Sequence, residues 1–248
     1  MKQKLLKQTV IISIILLVLL TACCRSNKAI PYEAEIQIEE TAECQSSILE
    51  TADDEASADN ENFRRWVAPA KVDAGTYRVR INVTTQRVNI FGRDENGEHT
   101  IPVKQFICST GLENTPSPLG TFVSSDKFRW ATFRFSPALG AVTYGQYNTR
   151  ITGPFLIHSM VYGEYGNPAS MLWEQYNRLG NRASAGCIRV NWAAAKWIYV
   201  NCPPGTIFDI YEGEDNMPVA LRAAPLEPVP PGTKYDPSDY EYIRTIRR

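Results

Sequence analysis

The chain has 248 residues, with 26 Lys and Arg against 27 Asp and Glu for a formal net charge of −1, and it is 44% hydrophobic and 21% charged. Those proportions are ordinary for a folded domain and leave enough apolar material for a sizeable core. They exclude a wholly disordered chain, and no basic patch points to nucleic acid as a partner.

Lys2, Lys4 and Lys7 form a positive leader ahead of the apolar run Thr9 to Leu20. That run suits the core of an export signal and is short for a membrane span. It ends in Leu20-Thr21-Ala22-Cys23, which resembles a bacterial lipobox. Residues 1–22 are therefore expected to be a lipoprotein signal peptide, with Cys23 the lipidated first residue of an extracytoplasmic, membrane-anchored chain. Ser26 to Asn62 follows with eleven acidic residues, one lysine and one aromatic, Tyr32. Such a stretch buries too little apolar area to offset chain entropy, so residues 23–75 read as a disordered acidic tether.

From Tyr77 the pattern becomes that of short strands. Val79, Ile81 and Val83 alternate with polar residues, and Val88 to Phe91 and Val103 to Cys108 continue the series. Arg93 to Glu98 contains an Asn-Gly hairpin turn, in whose loop His99 lies. After the Pro116, Pro118 and Gly120 loop, Thr121-Phe122-Val123 resumes strand character. Tyr144 and Tyr147 fall in an apparent loop before the apolar strand that ends at His158, where they are candidates to line a cleft.

Helical spacing enters later. Ala169, Leu172, Trp173 and Tyr176 after Pro168 predict one short helix, and Asn191 is a good N-cap for a second that runs to the Pro203-Pro204 stop. A last strand is expected at Ile207 to Tyr211. The fold class is thus mainly β with two short helices over residues 76–213, and residues 214–248 form a proline-rich tail that either packs along the surface or hangs free.

Six cysteines do not make the dense, even pattern of a disulfide framework. Cys24 and Cys44 have no framed spacing, Cys108 reads as a small buried hydrophobe, and a Cys108–Cys202 bridge stays open because connectivity is not readable from sequence. Two distant histidines and no Cys-x-x-Cys pair give no metal pattern, so no metal or other cofactor is expected. Cys187 differs in its setting, Ser184-Ala185-Gly186-Cys187-Ile188-Arg189. Small residues leave room for a carbonyl, turn N–H groups are oxyanion donors, and Arg189 favours a thiolate or a bound carboxylate. A thiol needs a proton acceptor to act as a nucleophile near neutrality, and His158 is the candidate.

At this point the residues resemble the L,D-transpeptidase family with a YkuD-like catalytic domain. The resemblance runs from about Tyr77 to Tyr211 and rests on ordered elements. These are Thr85-Gln86-Arg87-Val88; Ser109-Thr110-Gly111; Thr115-Pro116-Ser117-Pro118-Leu119-Gly120-Thr121-Phe122; Ile157-His158-Ser159; Ser184 to Val190; and Pro204-Gly205-Thr206. It implies a β-sandwich-like YkuD-type domain that acts on peptidoglycan stem peptides, with Cys187 the nucleophile and His158 its base. It also implies oxyanion or substrate-binding roles for Ala185, Gly186, Arg189 and Ser184. Arg189 would hold a substrate carboxylate or shape the loop through an ion pair, and Ser184 would orient His158 or cap the turn. The sequence departs from the family in two places. Ala185 stands where the family commonly has histidine, and Tyr162 to Arg182 enlarges the loop between His158 and Cys187, as a lid or as core packing. A non-catalytic peptidoglycan-binding lipoprotein is the alternative reading; a sortase-like enzyme fits the order of motifs less well.

Overall fold

A computed structural model describes residues 72–136 and 141–247. The signal peptide, Cys23, Cys24, Cys44 and nearly all of the acidic tether lie outside the described residues. Ten strands dominate: β1 (Tyr77–Asn82), β2 (Arg87–Gly92), β3 (Ile101–Ser109), β4 (Gly120–Val123), β5 (Lys127–Ser136), β6 (Ala141–Thr152), β7 (Phe155–His158), β8 (Val161–Tyr162), β9 (Ile188–Val190) and β10 (Ile207–Tyr211). They hydrogen-bond in the order β4-β10-β1-β2-β3-β9-β7-β6-β5, with β8 beside β6. The mainly β expectation holds, and β3 joins the two halves of the sheet through β2 on one side and β9 on the other.

Two pairings are parallel, β1 with β10 and β7 with β9. Parallel neighbours need a crossover, and each crossover here carries helical structure. Between β7 and β9 lies the enlarged loop with the one-turn helix α1 (Trp173–Tyr176); between β9 and β10 lies α2 (Trp192–Asn201). Helix α2 begins where predicted, with Asn191 Oδ1 accepting from Ala194 N at 2.9 Å. Its buried face, Trp192, Ala194, Ala195 and Ile198, packs on Val79, Ile81, Val88, Ile90, Ile157, Ile188, Val190 and Phe208 of the sheet. Each fully buried aliphatic side chain there stabilises the fold by roughly 1.5–3 kcal/mol.

Two expectations change. The helix expected from Ala169 to Tyr176 is broken: a 3₁₀ turn (Pro168–Ser170) capped by Asn167 ends at Met171, whose ψ of 137° is extended, and α1 then supplies a single turn. Met171 leaves the helical path to donate its N–H to Lys234 O at 2.8 Å. Tyr144 and Tyr147 lie within β6, not in a loop. Tyr147 is 6% exposed and packs edge-on against Trp192 and Tyr199, so it lines no cleft.

Of the two courses left open for residues 214–248, the structure shows packing along the surface, where they strap the domain. Ala223 N donates to Gln105 Oε1, Val229 and Asn177 exchange two hydrogen bonds, and Asp236 Oδ2 and Ser238 Oγ accept from Trp192 N and Ala193 N at the start of α2. The strap ends in α3 (Tyr240–Ile246), N-capped by Asp239. It also answers the question of the enlarged loop. Tyr162, Met171 and Tyr176 form a second core cluster with Met160 and Val229 of the strap, so the loop is packed into the domain.

Candidate active site

The register of β7 against β9 builds the site. Ile157 pairs with Ile188 and His158 with Arg189, so Cys187, one residue before β9, lies beside Leu156. Side chains alternate along a strand and cross-strand partners share a face. Ile157, Ile188 and Val190 therefore enter the α2 core, while His158, Arg189 and Cys187 share the opposite face.

His158 is 2% exposed, and its ring packs against Phe133 with centroids 4.6 Å apart. Its Nδ1 lies 2.6 Å from Ser159 O. A carbonyl only accepts, so Nδ1 carries the proton and Nε2 keeps the lone pair. Burial, and then the Arg189 charge, lower the imidazole to about 3 despite the opposing pull of the Ser159 carbonyl. The resting histidine is neutral, the form that can take a proton. Gly145 makes the fit possible: a Cβ there would lie 2.9 Å from Phe133 and 3.0 Å from His158 Nδ1.

Cys187 is partly exposed and free, and its Sγ–H points to Pro154 O at 3.8 Å. Enclosure raises the thiol, while the Leu156 N–H and the Arg189 and Arg150 charges pull it down. Cys108 and Cys202 are also free cysteines, both buried. Burial drives the Cys108 thiol far up and Cys202 to about 12, and of the three described cysteines Cys187 is the one with solvent access.

The turn that presents Cys187 is fixed from both sides. Ser184 is buried, accepts from Gly186 N at 3.1 Å and donates to Cys187 O at 2.5 Å. Of the roles expected for Ser184, the geometry gives turn capping; the Ser159 carbonyl, not Ser184, orients His158. Gly186 has φ of +115°, and a Cβ there would lie 2.5 Å from Phe155. Its N–H is already bound to Ser184, which leaves Ala185 and Cys187 with backbone donors for an oxyanion. Ala185 itself is half-buried and, as a methyl group, supplies no acid–base chemistry.

Two motifs singled out in the sequence act as the buttress. Ser117 Oγ accepts from Gly111 N at 2.9 Å and donates to Gly186 O at 2.7 Å, joining the Ser-Thr-Gly element and the Thr-Pro loop to the turn that bears Cys187. Gly111 must lack a side chain, because a Cβ would lie 2.2 Å from Thr115 O. Gln86, at φ +57°, fastens Thr110 with two bonds, and Thr110 O accepts from Ala183 N and Ser184 N.

Arg189 departs from both expectations. It is 4% exposed, so its guanidinium is not presented to a substrate carboxylate, and it forms no ion pair with a described carboxylate. Its Nη1 donates to Gln175 Oε1 at 2.8 Å and Ala183 O at 3.2 Å, both neutral acceptors. Burial lowers the guanidinium only to about 10, so it stays charged near neutrality. Gln175, Gly145, Ser117 and the Ser159 carbonyl were not assigned site roles from sequence. Gln175 lay inside a stretch whose helical spacing pointed to packing, and a backbone carbonyl leaves no mark in side-chain identity.

Comparison with known proteins identifies the family. Residues 76–210 match the family model of the L,D-transpeptidase catalytic domain, YkuD. The Bacillus subtilis (strain 168) protein named "Putative L,D-transpeptidase YciB" is 27% identical over 205 residues, covering 79% of this chain and 94% of that protein. Among solved structures, a fused Zn-dependent amidase/peptidase/peptidoglycan-binding domain-containing protein from Clostridium acetobutylicum ATCC 824 is 26% identical with a TM-score of 0.39, covering 55% of this chain. An L,D-transpeptidase from Mycobacterium tuberculosis H37Rv is 18% identical with a TM-score of 0.43 over the same share. The chain spans 52% and 58% of those two solved chains. With the family model matched over more than half of its length, the chain belongs to the YkuD family of L,D-transpeptidase catalytic domains.

Proposed function

We propose that the protein is a peptidoglycan L,D-transpeptidase that works through a thioester on Cys187. The observation that supports this most directly is the parallel β7–β9 register, which sets the thiol and a neutral, Ser159-oriented His158 on one face in a chain of this family. His158 Nε2 takes the proton of Cys187 as the sulfur attacks the carbonyl of the third residue of a donor stem tetrapeptide. The N–H groups of Ala185 and Cys187 stabilise the oxyanion, a role in which losing one donor costs about 100-fold to 1,000-fold in rate. The imidazolium returns its proton to the departing D-Ala amine. An acceptor amine then attacks the thioester to give a 3→3 cross-link, or water does so to give carboxypeptidase action.

Intact-protein mass spectrometry with a carbapenem tests the nucleophile: one covalent adduct is expected, abolished by Cys187→Ala. A chain that forms no adduct would instead be the non-catalytic wall-binding alternative. Muropeptide analysis of sacculi treated with the protein then separates cross-linking from trimming. We also propose that the domain is held outside the membrane by a lipid on Cys23, which rests on the lipobox sequence. Unchanged mobility when lipoprotein processing is inhibited with globomycin would refute the anchor.

A further inference from the structure

Arg189 is a buried cation whose Nη1 donates to two uncharged acceptors. Two positions after Cys187 and on the same face of β9, it lies alongside the thiol. The acceptor that reaches it from outside its own segment is Gln175 Oε1 of α1, at 2.8 Å. Gln175 is 8% exposed, and its helix is held in place on two sides. Asn177 exchanges bonds of 2.9 Å and 2.7 Å with Val229 of the strap, and Met171 N donates to Lys234 O.

A carboxylate at position 175 would meet the same guanidinium with better Coulomb energy, but it would form a closed ion pair and leave little field at the sulfur. An amide oxygen fixes the guanidinium and leaves its charge intact. We propose that Gln175 is a positioning residue for the nucleophile, delivered by the enlarged loop and clamped by the strap, which docks Arg189 beside Cys187 without neutralising it. The other charged or titratable groups that act here are Arg150 of β6, His158 of β7 and, acting on Arg189 itself, Arg178 after α1. The Arg189 and Arg150 charges pull the Cys187 thiol down against the larger upward effect of its enclosure, and the Arg189 charge adds to burial in disfavouring the His158 imidazolium.

The inference rests on Cys187 being the nucleophile, but its test needs no cell-wall substrate. The rate of Cys187 alkylation by iodoacetamide, followed by peptide mass spectrometry on the full chain between pH 7 and 10, reports the thiolate fraction. Gln175→Glu should displace the profile by about one unit to higher pH, so that alkylation near pH 7.5 slows about tenfold. Gln175→Met, which removes the acceptor and adds no charge, should displace it less. A Gln175→Glu profile that coincides with the wild type, or a Gln175→Met profile displaced as far as that of Gln175→Glu, overturns the proposal. Should Gln175→Glu not fold, a cycle of Gln175→Met with Arg189→Gln decides. Displacement by Gln175→Met only while Arg189 is present supports the role; no displacement, or an equal one in both backgrounds, refutes it. A chain that takes no carbapenem yet shows the displaced profile would sink the transpeptidase reading and leave this one standing.

Discussion

His158 and Arg189 are direct partners across the parallel β7–β9 ladder, on the face turned away from the α2 core. An imidazole and a guanidinium so placed cannot both be charged cheaply, and the arrangement fixes which one is. Arg189 stays protonated, and His158 stays neutral.

That choice has a cost in acid. A histidine lowered from 6.5 to about 3 on folding binds a proton more readily in the unfolded chain. Its contribution to stability is full above about pH 6.5 and is lost as pH falls through that window toward 3. Relative to His158→Gln, the wild type should lose about 3 kcal/mol between pH 6.5 and 4, as measured by urea unfolding. Parallel profiles for the two proteins would count against the buried neutral imidazole.

Gly145 is predicted to be a site residue in effect. In Gly145→Ala the new methyl group meets Phe133 and the His158 Nδ1 that binds Ser159 O. The ring is expected to tilt, with carbapenem acylation falling at least about tenfold and stability falling by about 1–3 kcal/mol. Wild-type acylation kinetics in this variant would contradict the packing argument.

Native-state labelling offers a third check. Iodoacetamide should mark Cys187 and leave Cys108 and Cys202 unmodified until the protein is unfolded, since both are fully enclosed and their thiols are held protonated. Rapid labelling of Cys202 in the folded protein would mean that the α2–sheet interface opens.

The strap provides a fourth. Asp236 is fully buried, and it satisfies Trp192 N at the first turn of α2. Asp236→Ala removes that cap and should cost about 1–2 kcal/mol in chemical denaturation. A chain ending at Gly213 should lose more, because it also uncovers the surfaces beneath Met217 and Val229. A truncated chain with unchanged stability would show that the strap is ornamental.

Strands β1, β2, β3, β4 and β10 were legible from alternation and turn residues, and the start of α2 from Asn191. The β5–β6 hairpin was not. Along Lys127–Ser136 the pairing slips between Phe133 and Ser136, and β6 carries an unbroken buried run from Gly145 to Thr149, so neither strand shows a clean two-residue period. Cys187 and His158 stood out in the sequence because a small-residue turn around a thiol and a histidine at a strand end are unusual in combination, and the β7–β9 register sets them on one face. What surrounds them was not, because it depends on long-range partners. Gln175 reads as one polar residue in a short helix until the strap and Arg189 are brought to it, and the two roles open to Ser184 are separated only when its hydroxyl is found closing the turn. The fate of residues 214–248 was equally hidden, since proline-rich composition describes the chain's stiffness and not its destination.

Because α2 takes two of its first-turn acceptors from Asp236 and Ser238, the order in which the chain is synthesised matters. A nascent polypeptide that has emerged as far as β10 already carries both His158 and Cys187, yet the helix behind their sheet still has open N–H groups and the loop bearing Gln175 is unfastened. His158 and Cys187 therefore precede in the chain the strap residues that close the first turn of α2 and fasten the loop bearing Gln175.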